Sequence, residues 1–474
     1  LCYTVAMFST TTVNNSYILK IREKTENFFY GKFYPVILSL LSFLLWFANI
    51  GMTGFAVLIF IGCFVLIVYD DMTPTIPLLL ELPMTMRNTT LFMSEVFPFL
   101  LIVPVVFAFL IKFILYPWKK PKLDKLSFAF LGITLTSLTG GLFSSYLNEY
   151  FSGVFFILLT GVCTFAMHFV FSNRIKCPKS VNLGKYFCYC FVWAINLACA
   201  QMIYMWALDT FTGTVFMAIP TSYWASSNHI ANLILLATPL LCYLLISGKG
   251  ILPYFINIVF YYGVLWISGS DGCIAILFAL TVFLIPAVLF KTDRHRFNSV
   301  LTYILILLAT ATILFCYICL FHPEVITKFI VRAMRGNGRV VLYKTGLDMF
   351  LENPIFGSGI GHAYLANLKD YETYFHSTLV QVGSTTGIIG LISYCFLYYC
   401  RAEKLLKNDT EIGFFAFIGL IAFALYALVD NGDFNVVLIY LTLMIIVVGL
   451  ENEKGAQRLP LFFKFNNFSN FRNI

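Results

Sequence analysis

Five cations precede a glycine turn and a histidine in one stretch of this chain. "HPEVITKFIVRAMRGNGRVVLYK" (322–344) holds Lys328, Arg332, Arg335, Arg339 and Lys344 against one acid, Glu324. A guanidinium offers a planar fork matched to phosphate oxygens and keeps its charge at every relevant pH, so this cluster suits a diphosphate, with Arg339 as the foremost candidate. Lys328, Arg332 and Arg335 recur at i, i+4 and i+7, one face of a helix that Gly336 and Gly338 should break. Anionic lipid headgroups would suit that face too, and for Lys328 and Arg332 both explanations stand.

Next comes "YKTGLDMFLENPIFGSGIGH", whose pattern predicts an amphipathic helix over 340–351 stopped at Asn353-Pro354. The "GSGIG" that follows is expected to be a tight turn. Gly357 and Gly359 permit close backbone approach and leave amide N–H groups that suit an anionic oxygen, although a purely structural turn fits equally well. His362 closes the stretch. In "YETYFHSTLVQVGSTTGIIGL", His376 then stands where the chain returns from the arginine-bearing segment to an apolar run.

The elements that must position these residues are membrane helices. The chain is 60% hydrophobic, 18% aromatic and only 11% charged, with mean hydropathy +0.85, far outside the range of soluble domains. Apolar runs recur near 33–50, 51–69, 93–116, 126–147, 153–172, 186–207, 229–247, 251–268, 272–290, 299–321, 377–400, 412–429 and 434–450. Each is long enough to cross a bilayer as a helix, and an open sheet would leave backbone groups unpaired in lipid. The expected fold is therefore an all-α polytopic bundle of about 11–14 transmembrane helices. It divides into an N-terminal bundle (1–321), one large extracytoplasmic loop (322–376), C-terminal helices (377–450) and a cytoplasmic tail (451–474). No cleavable signal peptide is expected in "LCYTVAMFST".

Basic loops resist translocation, which orients the bundle. "PWKKPKLDK" (117–125), "NRIKCPKSVNLGK" (173–185), "KTDRHR" (291–296) and "RAEKLLK" (401–407) belong inside; 322–376, "SGSDG" and "DNGD" belong outside. One segment disagrees. Counting back through 51–69 and 33–50 places the basic "KIREKTENFFYGK" outside, so either those runs are not a hairpin or residues 1–19 add a span. The net charge of +8 sits mainly in inner loops and reports topology, not nucleic-acid binding. Nearly all of the thirteen cysteines lie within or beside apolar runs, none of them between 322 and 376, so the outer loop has no disulfide of its own. The CxxC of Cys316 and Cys319 reads as ordinary core residues.

"GRVVLYKTGLDMFLENPIFGSGIG" followed by "HSTLVQVGSTTGIIGLISY" resembles the core signature of the O-antigen ligase and polymerase superfamily: Arg, a short helix, Asn-Pro, Gly-x-Gly, then His leading into a span. Upstream, "SYWASSNHIANLILLATPLL" (222–241) resembles the family's Asn-x-x-Ala element, at Asn228. Two departures stand out. Ser377 takes the place of the Asn that often follows the histidine, and "WISGSDG" has Asp271 where many members carry an arginine after serine. Arg335 or Arg332 would then substitute spatially, or Asp271 has another role.

The resemblance implies glycosyl transfer at the outer face of the bacterial cytoplasmic membrane. The donor would be an oligosaccharide on undecaprenyl diphosphate, and the acceptor a glycan or lipid-linked hydroxyl. Arg339, helped by Arg335 and Arg332, would stabilise the diphosphate leaving group. Neutral His376 would be the general base or orienting acceptor. Gly357, Gly359, His362, Ser377, Asn228 and Asp271 would support the site. No cofactor or metal is implied. The other partners would be the lipid bilayer and other polysaccharide-assembly proteins.

Polymerisation of capsule, exopolysaccharide or O-antigen is favoured, since nothing marks a lipid A acceptor. Ligation of O-antigen or teichoic-type glycan to a terminal acceptor is the alternative. A polysaccharide transporter or flippase, in a different class, would call for ionisable residues within spans and an internal repeat. A metal-dependent lipid-sugar transferase would use Asp70 and Asp71 of "YDDMTP", which otherwise read as solvated loop carboxylates.

Overall fold

The structure, a computed structural model, describes residues 12–86, 97–117, 121–142, 161–211, 225–248, 250–323, 327, 339–359, 375–430 and 432–455. Among them the regular elements are helical throughout, as the composition requires. In chain order the α-helices are α1 (Thr12–Phe29), α2 (Phe33–Phe47), α3 (Gly51–Val68), α4 (Ile76–Glu81), α5 (Phe97–Leu115), α6 (Lys125–Thr139), α7 (Cys163–Arg174) and α8 (Leu183–Phe211). Then follow α9 (Ser227–Ser247), α10 (Leu252–Ser268), α11 (Asp271–Lys291), α12 (Arg294–Phe321), α13 (Arg339–Glu352), α14 (Thr378–Leu406), α15 (Glu411–Ala427) and α16 (Val437–Gly455). Among the described residues, five stretches are each long and apolar enough to cross a membrane: Leu183–Leu208, Ser227–Ser247, Asp271–Lys291, Arg294–Phe321 and Thr378–Leu406. Five shorter apolar helices accompany them.

The chain folds as two compact units. The first comprises residues 1–122, 169–234 and 263–270. Within it α2 and α3 form a hairpin, because Tyr30 donates to Asp71 at 2.6 Å and Tyr34 to the Pro74 carbonyl at 3.1 Å, joining the start of α2 to the end of α3. The polar α1 bends 80° away from α2 and reaches the same end, where Thr25 and Tyr69 share a 2.6 Å hydrogen bond. Helix α5 also ends there. Its Lys112 donates to the carbonyls of Leu66, Tyr69 and Asp70, which would otherwise lack partners at the C-terminus of α3.

With α3 and α5 ending at one face, the chain must return between them. Residues 73–86 begin that return: two 3-10 turns, Thr73–Thr75 and Leu82–Thr85, flank the short α4. Glu81 on α4 is fully buried and accepts hydrogen bonds from Ser39 at 2.6 Å and Ser42 at 2.9 Å. Gln201 of α8 donates to the Met84 carbonyl at 2.7 Å. Hydropathy counting misses this passage because it is short, broken by prolines and carries an acid. Including it removes the conflict over sidedness with the 33–69 hairpin intact. "KIREKTENFFYGK" then shares an end with "NRIKCPK", whose Arg174 and Lys176 each lie 2.5 Å from Asp70.

The second unit comprises residues 123–168, 235–262 and 271–474. Its axis is the antiparallel packing of α6 on the second half of α14. At one end Lys125 meets Glu403 at 2.7 Å and Lys404 meets Asp124 at 2.6 Å. Asp124 also caps α6, accepting from the Ser127 amide, and lies 2.8 Å from the buried His168. Burial works to raise the Asp124 carboxyl, but His168 and Lys404 beside it hold it well below the usual range. Residues 124–125 and 403–404, from two basic segments assigned to one side by charge, thus lie at one end of this unit. At the other end of α6, the Gly141 amide donates to the Phe356 carbonyl at 3.1 Å.

Two sequence expectations change here. Arg401 is not part of an exposed basic loop: it lies within α14, fully buried. Cys316 and Cys319, expected in the core, are exposed on α12, a helix whose residues 305–316 are mostly exposed to the surroundings.

Candidate functional site

Helix α13 begins at Arg339 and ends at Glu352, one residue longer at each end than its pattern predicts, with Pro354 blocking continuation. It buries Leu342, Gly346 and Met349, spaced i, i+4, i+7, and Leu342 and Met349 pack with Phe375. That apolar seam clamps α13 onto the start of α14, which is how Arg339 and His376 come to share one neighbourhood. The fit at Gly346 is tight, since a side chain there would collide with Val380.

The glycine turn locks the other end of α13. Amides of Gly357, Ser358 and Gly359 donate to the carbonyls of Asn353 (2.8 Å), Ser384 (2.8 Å) and Thr385 (2.9 Å). An anionic oxygen therefore does not find these amides waiting, which corrects that expectation. The turn at Gly357–Gly359 holds the end of α13 against α14. Carbonyls 384 and 385 can accept these bonds because α14 is broken at Gly387, with φ 66° and ψ −161°. A Cβ there would lie 2.3 Å from the Ile355 carbonyl oxygen. Gly387→Ala should accordingly destabilise the protein by more than about 2 kcal/mol, seen as a fall of about 5 °C or more in its unfolding midpoint in detergent; an unchanged midpoint would contradict this packing.

His376 itself has a left-handed backbone, φ 49°, a conformation that costs a non-glycine residue energy and persists only where its surroundings enforce it. Here the restraints are visible. Tyr343 of α13 donates to the His376 carbonyl at 2.9 Å, and the Phe375 amide donates to the Gln381 side chain at 3.2 Å. Ser377 is the N-cap of α14, accepting from the Val380 amide. The Ser377 hydroxyl thus caps the helix that begins immediately after His376.

Asp430, which sequence reasoning passed over, faces the histidine. Its Oδ1 lies 3.2 Å from His376 Nδ1, and its Oδ2 accepts from the Tyr426 hydroxyl at 2.7 Å. The histidine side chain is 23% exposed and that of Asp430 10%, so the pair is mostly withdrawn from solvent with one edge open. One residue earlier, the Val429 carbonyl accepts from Arg339 at 2.7 Å. Among the described residues only that guanidinium nitrogen makes a hydrogen bond. Asp271 opens α11 beside the same turn, where a Cβ on Gly272 would lie 3.4 Å from the Val429 side chain. Burial pushes the Tyr343 hydroxyl up, Arg339 opposes that and Asp430 adds to it; the group stays a neutral donor. The signal for Asp430 was "DNGD", a short acidic turn on the same predicted side as His376.

The unit thus unites Arg339, Tyr343, His376, Tyr426, Asp430 and Asp271. Asn228 opens α9 in the first unit. Arg332, Arg335, His362 and Lys328 lie outside the described residues. Asp70 and Asp71 are neither solvated nor arranged around a vacant position: Asp71 is buried, accepting from Tyr30, Thr73 and the Lys176 amide. Burial works to raise the Asp70 carboxyl, but Lys176 and Arg174 hold it below its ordinary value.

Such a site sets an imidazole against a carboxylate and a guanidinium beside the same turn, groups able in general to exchange a proton and to meet an anion. No curated protein matches the chain. The family model described as O-antigen ligase matches residues 255–395, which contain Asp271, α13, the glycine turn and His376. Over those residues, less than half of its length, this protein with membrane-spanning helices is similar to the O-antigen ligase family.

Proposed function

We propose that the protein polymerises a cell-surface polysaccharide, transferring glycan from an undecaprenyl-diphosphate carrier to an acceptor hydroxyl at the outer face of the cytoplasmic membrane. The observation that carries this reading is the contact between His376 and Asp430 in the turn whose preceding carbonyl holds Arg339. The acceptor oxygen forms its bond to the anomeric carbon as the bond from that carbon to the diphosphate breaks. Its proton passes to His376. With Nδ1 held by Asp430, proton exchange is assigned to Nε2, and the carboxylate stabilises the imidazolium that results. Arg339 meets the negative charge growing on the diphosphate.

Buried ionisable groups, which a transporter would call for, occur in this bundle at Glu81, Lys112, Arg401 and Asp433 among others. Each has a protein partner, so they give the transporter reading no unclaimed site.

Gene deletion separates the two transferase roles. Loss of a polymerase leaves single repeat units on the lipid carrier, whereas loss of a ligase strands full-length chains there. Orientation is tested by cysteines placed at Leu351 and Lys407 in a background cleared of reactive native thiols. An impermeant thiol reagent should label Leu351→Cys in cells whose inner membrane is intact, and Lys407→Cys only after lysis. The opposite pattern would invert the assignment.

A further inference from the structure

The turn that carries Asp430 is anchored a second time, deeper in the same unit. Three residues on, Asp433 accepts from Arg401 at 2.9 Å and from the Tyr398 hydroxyl at 2.7 Å. Both side chains of this ion pair are essentially inaccessible, 0% and 1% exposed. Burying a charged pair costs so much hydration that well-packed apolar residues of similar volume are often as stabilising or more so. Arg401 also makes poor use of its donors, since among the described residues Nε and Nη2 have no hydrogen-bond partner. Stability is therefore a weak reason for this pair. What it does supply is position. Asp433 lies in the 3-10 turn Gly432–Phe434, and Arg401 and Tyr398 lie in the part of α14 beyond the break at Gly387, whereas His376 precedes that helix.

We infer that Arg401 is a positioning residue for the glycosyl-transfer site: through Asp433 it fixes the depth of the 429–433 turn, and with it the placement of Asp430 against His376 and of the Val429 carbonyl against Arg339. The turn is held at both ends by side chains of the same unit. His376 and Arg339 hold the 429–430 end, while Arg401 and Tyr398 hold the 433 end. Releasing the inner end lets the outer end drift. A misplacement of about 1 Å at the reacting groups, here of the imidazole that Asp430 orients, can cost about two orders of magnitude in rate. The inference rests on the transferase reading for its kinetic consequence, but its geometric consequence stands apart from it.

The test compares Arg401→Met, the double variant Arg401→Met/Asp433→Leu, and the milder Tyr398→Phe, each in the full-length protein. Arg401→Met leaves a buried carboxylate unpaired and should lower the unfolding midpoint, and the apolar double variant should recover it. Transfer from a purified lipid-linked donor in proteoliposomes should not recover. The expected outcome is a kcat lowered tenfold or more in the double variant, with KM for the donor within about threefold of wild type, and a smaller loss of kcat in Tyr398→Phe. A readout independent of transfer is carbethoxylation of His376, followed by peptide mass mapping. Its rate should rise at least threefold in the double variant as the Asp430 contact loosens. Full recovery of both midpoint and kcat in the double variant would overturn the inference and leave the pair a structural one. So would unchanged carbethoxylation of His376. If wild-type protein and donor give no transfer while His376 reactivity still responds to Arg401, the transferase reading fails and the positioning role survives.

Discussion

His376→Ala is expected to cut glycan transfer by about two to four orders of magnitude, the usual contribution of a positioned general base. Donor binding should change little, because the imidazole acts on the acceptor hydroxyl and the carrier diphosphate is held elsewhere. Measured in proteoliposomes with purified lipid-linked donor, the loss should appear in kcat. The fold should survive, since the residue's structural contacts run mainly through its backbone: the carbonyl takes the Tyr343 hydrogen bond and the adjacent Phe375 fills the seam. Each variant is first checked by detergent size-exclusion. Near-normal turnover by a folded His376→Ala protein would remove the histidine from the mechanism.

Arg339→Lys carries the second large effect. The substitution keeps the charge yet loses the fork, and an ammonium cannot donate to the Val429 carbonyl and grip two phosphate oxygens in the fixed geometry of a guanidinium. Charge-assisted hydrogen bonds contribute about 1.5–3 kcal/mol each, so losing one predicts a fall of roughly ten- to a hundredfold in kcat/KM. A lysine variant with full activity would reduce Arg339 to a point charge and sink the bidentate role. Arg332→Ala is the contrast, and if that side chain faces lipid headgroups its activity should stay near wild type.

Composition and local pattern determined the fold class, the membrane setting, the helix at Arg339 and the identity of the two principal candidates. These follow from short-range chemistry: apolar runs demand helices in lipid, Asn353-Pro354 ends a helix, and a guanidinium or an imidazole has the same capabilities in any fold. The resemblance to the O-antigen ligase family was legible for the same reason, since it rests on two short stretches, 338–361 and 376–394.

Tertiary structure decided the rest. Hydropathy could not register the return through 73–86, because a proline-broken passage carrying Glu81 is made tolerable only by Ser39, Ser42 and Gln201 on other helices. It could not decide whether the "GSGIG" amides meet a ligand or the chain, because that depends on a break at Gly387, some thirty residues on. Nor could it pair Asp430 with His376 or Asp433 with Arg401, partners 54 and 32 residues apart. A carboxylate in a short turn looks alike in sequence whether water or a buried base faces it, and only packing among distant helices determines which one it meets.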